Sequence, residues 1–220
     1  MKLYLSGLVA FTFGNVSGID REKSLMAIKP SGVPYKKMTY RDIVVLDLEG
    51  NKVEGSLNPL NPSSDTKTHL ELYKNFPDIG GVAHSHSTYA TAWAQAMEAI
   101  PCLGTTHADF FYGEVPCTEV ISDGSIIKDY ERETGRLIVD TFKSLDHNDM
   151  KAVLVACHGP FSWGRDADDA VEISIALEEI AKMAFHSLTI NPALKNIKKS
   201  LLDKHYLRKH GKSAYYGQKE

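Results

Sequence analysis

The sequence has few cysteines, and they follow no pattern. Cys102, Cys117 and Cys157 are an odd number in a chain of 220 residues, they are widely spaced, and no Cys-x-x-Cys pair occurs. This usage argues against a disulfide framework and against a cysteine-rich zinc knuckle. We therefore expect reduced thiols and a cytoplasmic location.

The chain also lacks long apolar runs, a strong charge of one sign and low-complexity segments. Polar residues and glycine interrupt the apolar N-terminus and no cleavage pattern follows, so neither a signal peptide nor a membrane span is expected. The net charge is -3, with 43% hydrophobic and 24% charged residues. Without a basic field, nucleic acid is not an expected partner. No linker divides the chain, so residues 1–220 are predicted to form a single domain.

Hydrophobic periodicity predicts strands and helices that are interleaved along the chain. Alternating or continuous apolar residues predict strands at 8–13, 25–28, 43–48 with a hairpin return through Val53, 82–86 and 152–157. Apolar residues at three- and four-residue spacing predict helices from Asp65, from Thr88, at 128–145, at 166–188 and near 194–202. The fold class is α/β or α+β, with helices on the faces of a central mixed or antiparallel β-sheet.

Histidines follow two of the predicted strands. His84 and His86 are separated by one residue, so in a strand both side chains project from the same face, and His158 follows another strand. Imidazoles suit zinc and other late divalent metals, and three protein ligands leave the open position of a catalytic site. Two ordinary polar residues at a strand end are the alternative for His84 and His86 alone. Asp65, at the start of the preceding helix, is a candidate fourth ligand or base.

Three loops place glycine or proline beside small hydroxyl or amide side chains. They are residues 14–18, 29–32 and 62–65. Such loops can turn backbone N–H groups and hydroxyls toward an anion, and Lys29 and the helix start at Asp65 add positive potential. Phosphate is the expected ligand, although each loop by itself is also typical of a simple turn.

The C-terminal tail is basic and ends in two tyrosines. Residues 195–212 contain seven lysines and arginines but only one acid, Asp203. Such a run can contact phosphate or an acidic surface, but it is more often a solvated face. Tyr215 and Tyr216 follow it, and a positioned tyrosine can act as a general acid or base.

Taken in order, these motifs resemble the L-ribulose-5-phosphate 4-epimerase family, within the class II aldolase/adducin superfamily. The segments that carry the resemblance are GNVS at 14–17, IKPSGV at 28–33, PSSDT at 62–66, HSHS at 84–87, GTTHAD at 104–109, HGPF at 158–161, KHYLRKHG at 204–211 and AYYGQ at 214–218. The resemblance implies a class II aldolase-like α/β fold with a central, mostly antiparallel β-sheet flanked by helices. It also implies a homotetramer whose active sites lie between subunits.

The resemblance further implies roles for individual residues. One metal ion per subunit, zinc with manganese or cobalt as alternatives, would be held by His84, His86 and His158, with Asp65 at the site. Asp109 and Tyr216 match the acid/base residues that reach a neighbouring subunit's metal. The residues that match the phosphate loops, with a tail histidine near the substrate, are Asn15, Lys29, Ser31, Gly32, Ser63, Ser64 and His205.

The implied activity interconverts L-ribulose 5-phosphate and D-xylulose 5-phosphate, in arabinose or ascorbate catabolism. No carbonyl acidifies the hydrogen on C4, so simple deprotonation there is a poor route. Cleavage of C3–C4 instead gives an enediolate that a divalent metal can stabilise, and glycolaldehyde phosphate, which rotates before the bond re-forms. Asp109 and Tyr216 would act from opposite faces, one removing the proton of the C4 hydroxyl before cleavage and the other returning it after the bond re-forms.

Two other functions share parts of this pattern. A class II sugar-phosphate aldolase, such as L-fuculose-phosphate aldolase, would share the fold and the three histidines but resembles a relative with Glu where Asp65 stands. A non-catalytic adducin-like module is disfavoured by the intact histidines. The chain also departs from the pattern in two places: residues 1–6 are expected to be a shortened end in place of a leading helix, and the loop at 58–61 is slightly longer than usual.

Overall fold

A computed structural model describes residues 1–53, 58–211 and 214–216. Six strands form one sheet in the order β3-β2-β1-β4-β6-β5, and all five neighbouring pairs are antiparallel. The strands are β1 (Asn15–Asp20), β2 (Leu25–Ile28), β3 (Val44–Asp47), β4 (Gly81–His84), β5 (Ala152–Val155) and β6 (Gly159–Gly164). The predicted fold class, with a mostly antiparallel central sheet, is confirmed.

Helices cover the sheet and enclose its central strands. The helices are α1 (Lys2–Leu5), α2 (Thr66–Asn75), α3 (Thr88–Ala96), α4 (Thr105–Ala108), α5 (Asp123–Thr141), α6 (Ala167–Ile190) and α7 (Lys199–His210). Helix α2 packs on α5, while α6 packs along β1, β4 and β6. None of the helices that the structure describes is long and apolar enough to cross a bilayer.

The central strand β4 is buried along its whole length. Val82 faces the larger core beside Trp163, and Ala83 faces a smaller cluster that includes Leu3 of α1 and Val171 of α6. A side chain at Gly81 would clash with the backbone carbonyl of Asp166, so glycine allows the start of α6 to approach the strand. The end of β4, where the histidines lie, is therefore anchored on both sides.

The prediction of a strand at residues 8–13 is wrong. These residues form a loop in which Phe11 has a φ of 54°, and the side chains of Phe11 and Phe13 are 83% and 55% exposed. The alternating pattern here comes from aromatic side chains that lie on the surface. Strand β1 begins only after Gly14. Residues 1–6, expected to be a shortened end, contain the short helix α1.

Strand β6 was not predicted, because its sequence starts with Gly159 and Pro160. Both residue types are rare in the interior of a sheet. In the structure β6 nevertheless pairs with β4 on one side and β5 on the other. The turn from β5 to β6 contains Cys157 at a φ of 61° and carries His158 back toward β4.

Other predicted elements are confirmed with shifted ends. The strand at 25–28 and the helices from Asp65, from Thr88 and near 166–188 are present. The helix predicted at 128–145 begins at Asp123, and the one predicted near 194–202 runs from Lys199 to His210. The hairpin return is a single bridge from Lys52 to Leu46. Residues 54–57 and the end of the last motif, 217–218, lie outside the described residues.

Candidate active site

Three histidines meet at the end of the central strands. His84 is the last residue of β4, His86 follows two residues later, and His158 lies in the turn between β5 and β6. Because β4 and β6 are paired, with His84 opposite Phe161, the two ends lie side by side. One nitrogen from each of the three rings lies within 4.8 Å of the others. The structure thus brings together the three predicted metal ligands.

Neighbouring groups orient two of these rings. His84 Nδ1 lies 2.9 Å from the carbonyl oxygen of Pro160. Since a carbonyl only accepts, Nδ1 carries the proton and Nε2 keeps its lone pair. His158 Nδ1 lies 3.3 Å from the Tyr130 hydroxyl, and Phe161 stacks on the His84 ring at 4.2 Å. In metal-binding histidines, a hydrogen bond at the ring nitrogen that does not bind the metal fixes the orientation and tautomer of the ring.

Burial keeps these histidines in the form that binds metal. It lowers the pKa of His84 to about 3, and it also lowers the pKa of His86 and of His158. All three imidazoles are therefore neutral near pH 7, and a neutral imidazole has the lone pair that coordination requires. Three neutral imidazoles with converging nitrogens fit a divalent transition metal.

Asp65 faces the histidines instead of capping its helix. It occupies the N-cap position of α2, yet its side chain makes no capping hydrogen bond. Its Oδ2 accepts from Asn15 Nδ2 at 2.6 Å and lies 3.9 Å from His84 Nε2. Burial alone would raise the pKa of Asp65, but the His84 and His69 rings and the Asn15 amide outweigh it, and the pKa lies below its usual value.

The predicted phosphate loops and the histidines line one pocket of about 290 Å³. Two of the loops are joined directly, because Ser31 N–H donates to the Asn61 carbonyl at 2.9 Å and Ser63 N–H donates to the Lys29 carbonyl at 3.0 Å. The predicted residues that line this metal pocket are Asn15, Lys29, Ser31, Gly32, Ser63, Ser64, Asp65, His84, His86 and His158.

The remaining predicted residues, Asp109, His205 and Tyr216, lie together with Arg208 and Lys209, and these five residues are called the tail cluster. Both carboxylate oxygens of Asp109 accept from Arg208 Nη2 at 3.0 Å, and His205 Nδ1 lies 3.1 Å from Oδ1. The Tyr216 ring centroid lies 4.4 Å from the Arg208 guanidinium carbon. Burial opposes ionisation of Asp109, but hydrogen bonds from His205 and Arg208 hold its pKa below the usual value. Within the described residues, no member of the tail cluster lines the metal pocket.

Residues 1–185 match the family model described as Class II Aldolase and Adducin N-terminal domain. The chain belongs to this family. It is 53% identical over 219 residues to the L-ribulose-5-phosphate 4-epimerase UlaF of Salmonella paratyphi C (strain RKS4594), with 100% of this chain and 95% of the relative covered. The resemblance drawn from the motifs is confirmed.

Solved structures of the class II aldolase family share the fold. A structure of L-fuculose 1-phosphate aldolase is 30% identical, with a TM-score of 0.75 over 91% of this chain and 87% of the other. L-fuculose 1-phosphate aldolase from Glaciozyma antarctica PI12 is 18% identical, with a TM-score of 0.75 over 97% and 79% of the two chains, and supports the fold alone. The family model ends before α7, whereas the epimerase relative also spans the tail cluster.

Sequence reasoning missed several residues of the metal pocket. Tyr130 and Glu131 line it because the backbone of α5 leaves the helical region at Asp129, with a φ of -171° and a ψ of 81°. No glycine or proline at that position signals the break. Thr12 and Phe13 also line the pocket, and their place directly before the Gly14 loop was the available signal.

Proposed function

We propose that this member of the class II aldolase family is a metal-dependent L-ribulose-5-phosphate 4-epimerase, an isomerase that interconverts L-ribulose 5-phosphate and D-xylulose 5-phosphate. The observation that carries the proposal is one pocket in which three neutral histidines face three phosphate-type loops. The 53% identity to an epimerase over nearly the whole chain supports the reaction type. Sugar-phosphate metabolism, of arabinose or ascorbate, is the corresponding process.

The proposed metal is zinc, with manganese or cobalt as alternatives, held by His84, His86 and His158 with Asp65 beside them. When bound, the cation would act as a Lewis acid that stabilises negative charge on substrate oxygens. The protein's own contribution is a buried, preoriented set of nitrogens. The hydrogen bond from His84 Nδ1 to Pro160 and the stacked Phe161 ring support this assignment, since both restrain the His84 ring.

The phosphate end of the substrate is proposed to lie between the loops 29–32 and 62–65. Lys29 is 4% exposed and lines the pocket, so its ammonium group meets an anion there with little screening by water. The reaction breaks C3–C4, turns the glycolaldehyde phosphate fragment and re-forms the bond on its other face. A firmly held phosphate keeps that fragment in the pocket between cleavage and re-formation.

Asp109 and Tyr216 are proposed to move the proton of the C4 hydroxyl, one removing it before cleavage and the other returning it afterwards. In this proposal they enter the metal pocket of a neighbouring subunit in a homotetramer. Their separation from the pocket of their own chain supports that arrangement. The Tyr216 side chain is 57% exposed, which leaves it free to meet another subunit. His205 is proposed to lie near the substrate in the same way.

The proposal also includes a single domain over residues 1–220 and a cytoplasmic location. One continuous sheet that includes strands from residue 15 to residue 164 supports a single domain. The free state of Cys102, Cys117 and Cys157 supports a reducing compartment.

In the deciding experiment, zinc-loaded protein is incubated with L-ribulose 5-phosphate, and the formation of D-xylulose 5-phosphate is measured by a coupled assay. We expect turnover that a chelator abolishes and that added zinc restores. The same samples are analysed for free glycolaldehyde phosphate, because an aldolase would release this fragment as its main product. Accumulation of free fragment, or turnover that is indifferent to the chelator, would contradict the epimerase assignment.

A further inference from the structure

Tyr35 lies behind the phosphate end of the metal pocket. It follows the loop 29–32, its side chain is 3% exposed, and its hydroxyl lies 2.8 Å from the carbonyl oxygen of Gly14 and 3.2 Å from that of Phe13. The hydroxyl donates a hydrogen bond that these two carbonyl oxygens share, and both carbonyls belong to the turn that leads into β1. Gly14 and Phe13 line the metal pocket, so Tyr35 supports part of its wall from behind.

The Tyr35 ring also lies against Lys29. Lys29 Nζ is 4.8 Å from the ring centroid, within the range of a cation–π interaction. The same ammonium donates to the carbonyl of Thr12 at 3.2 Å and to that of Pro30 at 3.0 Å. An ammonium has three N–H groups, so these two bonds leave one for a ligand. Since Lys29 lines the pocket, a phosphate there is a suitable acceptor.

The two contacts of Tyr35 restrain the same part of the pocket wall. Its hydroxyl restrains residues 13–14, and its ring faces the lysine that is bonded to Thr12 in the same turn. The Tyr4 ring of α1 stacks on Tyr35 at 5.4 Å and 10°, which restrains the plane of the ring. A long, rotamer-rich lysine loses less freedom on binding when its head is already held in place.

We propose that Tyr35 is a positioning residue for phosphate recognition: it holds the Lys29 ammonium and the turn at 12–14 in the arrangement that receives the substrate's phosphate group. The proposal rests on the proposed function, both for the substrate and for the phosphate at this end of the pocket. The affinity for inorganic phosphate is measured without turnover, so the two can be tested separately.

The experiment compares Tyr35→Phe, which keeps the ring and removes the hydroxyl, with Tyr35→Leu, which removes both. The matched control is Tyr40→Leu, because Tyr40 lies five residues along the chain, is exposed, and has its hydroxyl bonded to Arg41. For each protein we measure zinc content, the melting temperature, the Kd of inorganic phosphate by calorimetry, and KM and kcat for L-ribulose 5-phosphate.

We expect the Kd of phosphate and KM to rise about threefold in Tyr35→Phe and about tenfold in Tyr35→Leu, with kcat changed less than about twofold. Zinc content and the Tyr40→Leu control stay at wild-type values. Unchanged phosphate affinity in Tyr35→Leu, or a loss of zinc or of kcat in place of the KM effect, would overturn the role. If the wild-type protein does not epimerise the sugar, the proposed function fails, while the calorimetric series still decides the role of Tyr35.

Discussion

The metal pocket and the tail cluster are built in opposite ways. The pocket is built around strand ends: His84 and His158 are fixed by the pairing of β4 with β6, and Asp65 by the start of α2. The tail cluster instead rests on side chains of α7 that reach Asp109, and Tyr216 lies beyond the last described helix. The pocket is thus held by elements of the sheet and its flanking helix, whereas the cluster is held by α7 and the residues that follow it.

This difference indicates how the work is divided in the proposed enzyme. The pocket contains what is needed to hold a cation and a phosphate, but the described pocket lining lacks the proposed acid and base. The tail cluster contains a carboxylate and a phenol, but no group of three metal-binding side chains was found there among the described residues. In the proposed enzyme, binding of the cation and the phosphate would be a property of each chain, and turnover a property of the proposed tetramer.

The largest expected effect comes from removing His84, the buried member of the three proposed metal ligands. His84→Ala deletes a ring that is bonded to Pro160 and stacked on Phe161, and two imidazoles hold zinc much less well than three. We expect zinc to be lost and turnover to fall by about a thousandfold or more. Elemental analysis and the coupled assay measure both. His186→Ala, an exposed histidine on α6, is the control. A variant that kept full zinc and turnover would exclude His84 as a ligand.

Changes in the tail cluster should separate chemistry from metal binding. Asp109→Asn and Tyr216→Phe each remove a proton-transfer group while keeping its shape, so we expect kcat to fall by about a hundredfold or more with zinc content unchanged. Asp203→Asn is the control, since Asp203 is a carboxylate on α7 that lies outside the tail cluster and bonds to Lys199 and Tyr112. Loss of zinc in either variant would contradict the proposed division.

The same variants test whether the two regions meet between subunits. His84→Ala chains still supply Asp109, and Asp109→Asn chains still supply the histidines. In a randomly mixed tetramer, about a quarter of the sites would combine an intact pocket with an intact carboxylate from a neighbour. Co-expression of the two inactive variants should therefore restore turnover. Failure to restore it in a mixed assembly that contains zinc would indicate that each site uses its own chain's Asp109.

The sequence indicated the residues that line the pocket more directly than it indicated every strand beside them, and the roles of those residues stay predictions. His84 and His86 lie two residues apart, and the loop chemistry at 29–32 and 62–65 depends on local residue types, so these signals could be read without tertiary structure. The approach of His158 to them required β6. That strand was missed because Gly159 and Pro160 are poor strand formers, and only its pairing with both β4 and β5 holds it in the sheet.

Contacts between distant parts of the chain were not predictable in this way. Nothing in the sequence around Arg208 indicates that its guanidinium would bind Asp109 from 99 positions away. Phe11 and Phe13 mimicked a strand because alternation records which residues are apolar, not whether a partner strand exists. Tyr35 gave no signal, since its role depends on a ring and a hydroxyl contacting two different loops.

The smallest expected effect is at the phosphate end of the pocket, where the group removed takes part in binding and not in bond cleavage. Lys29→Ala deletes an ammonium whose pKa burial has lowered but which still faces the pocket. We expect KM for the sugar phosphate to rise about tenfold or more with kcat changed little, because a phosphate contact made equally in the substrate complex and the transition state affects binding alone. Lys37→Ala, an exposed lysine eight residues along the chain, is the control. If kcat fell and KM did not, Lys29 would act on the reacting carbons, and the orientation of the substrate in the pocket would have to be reversed.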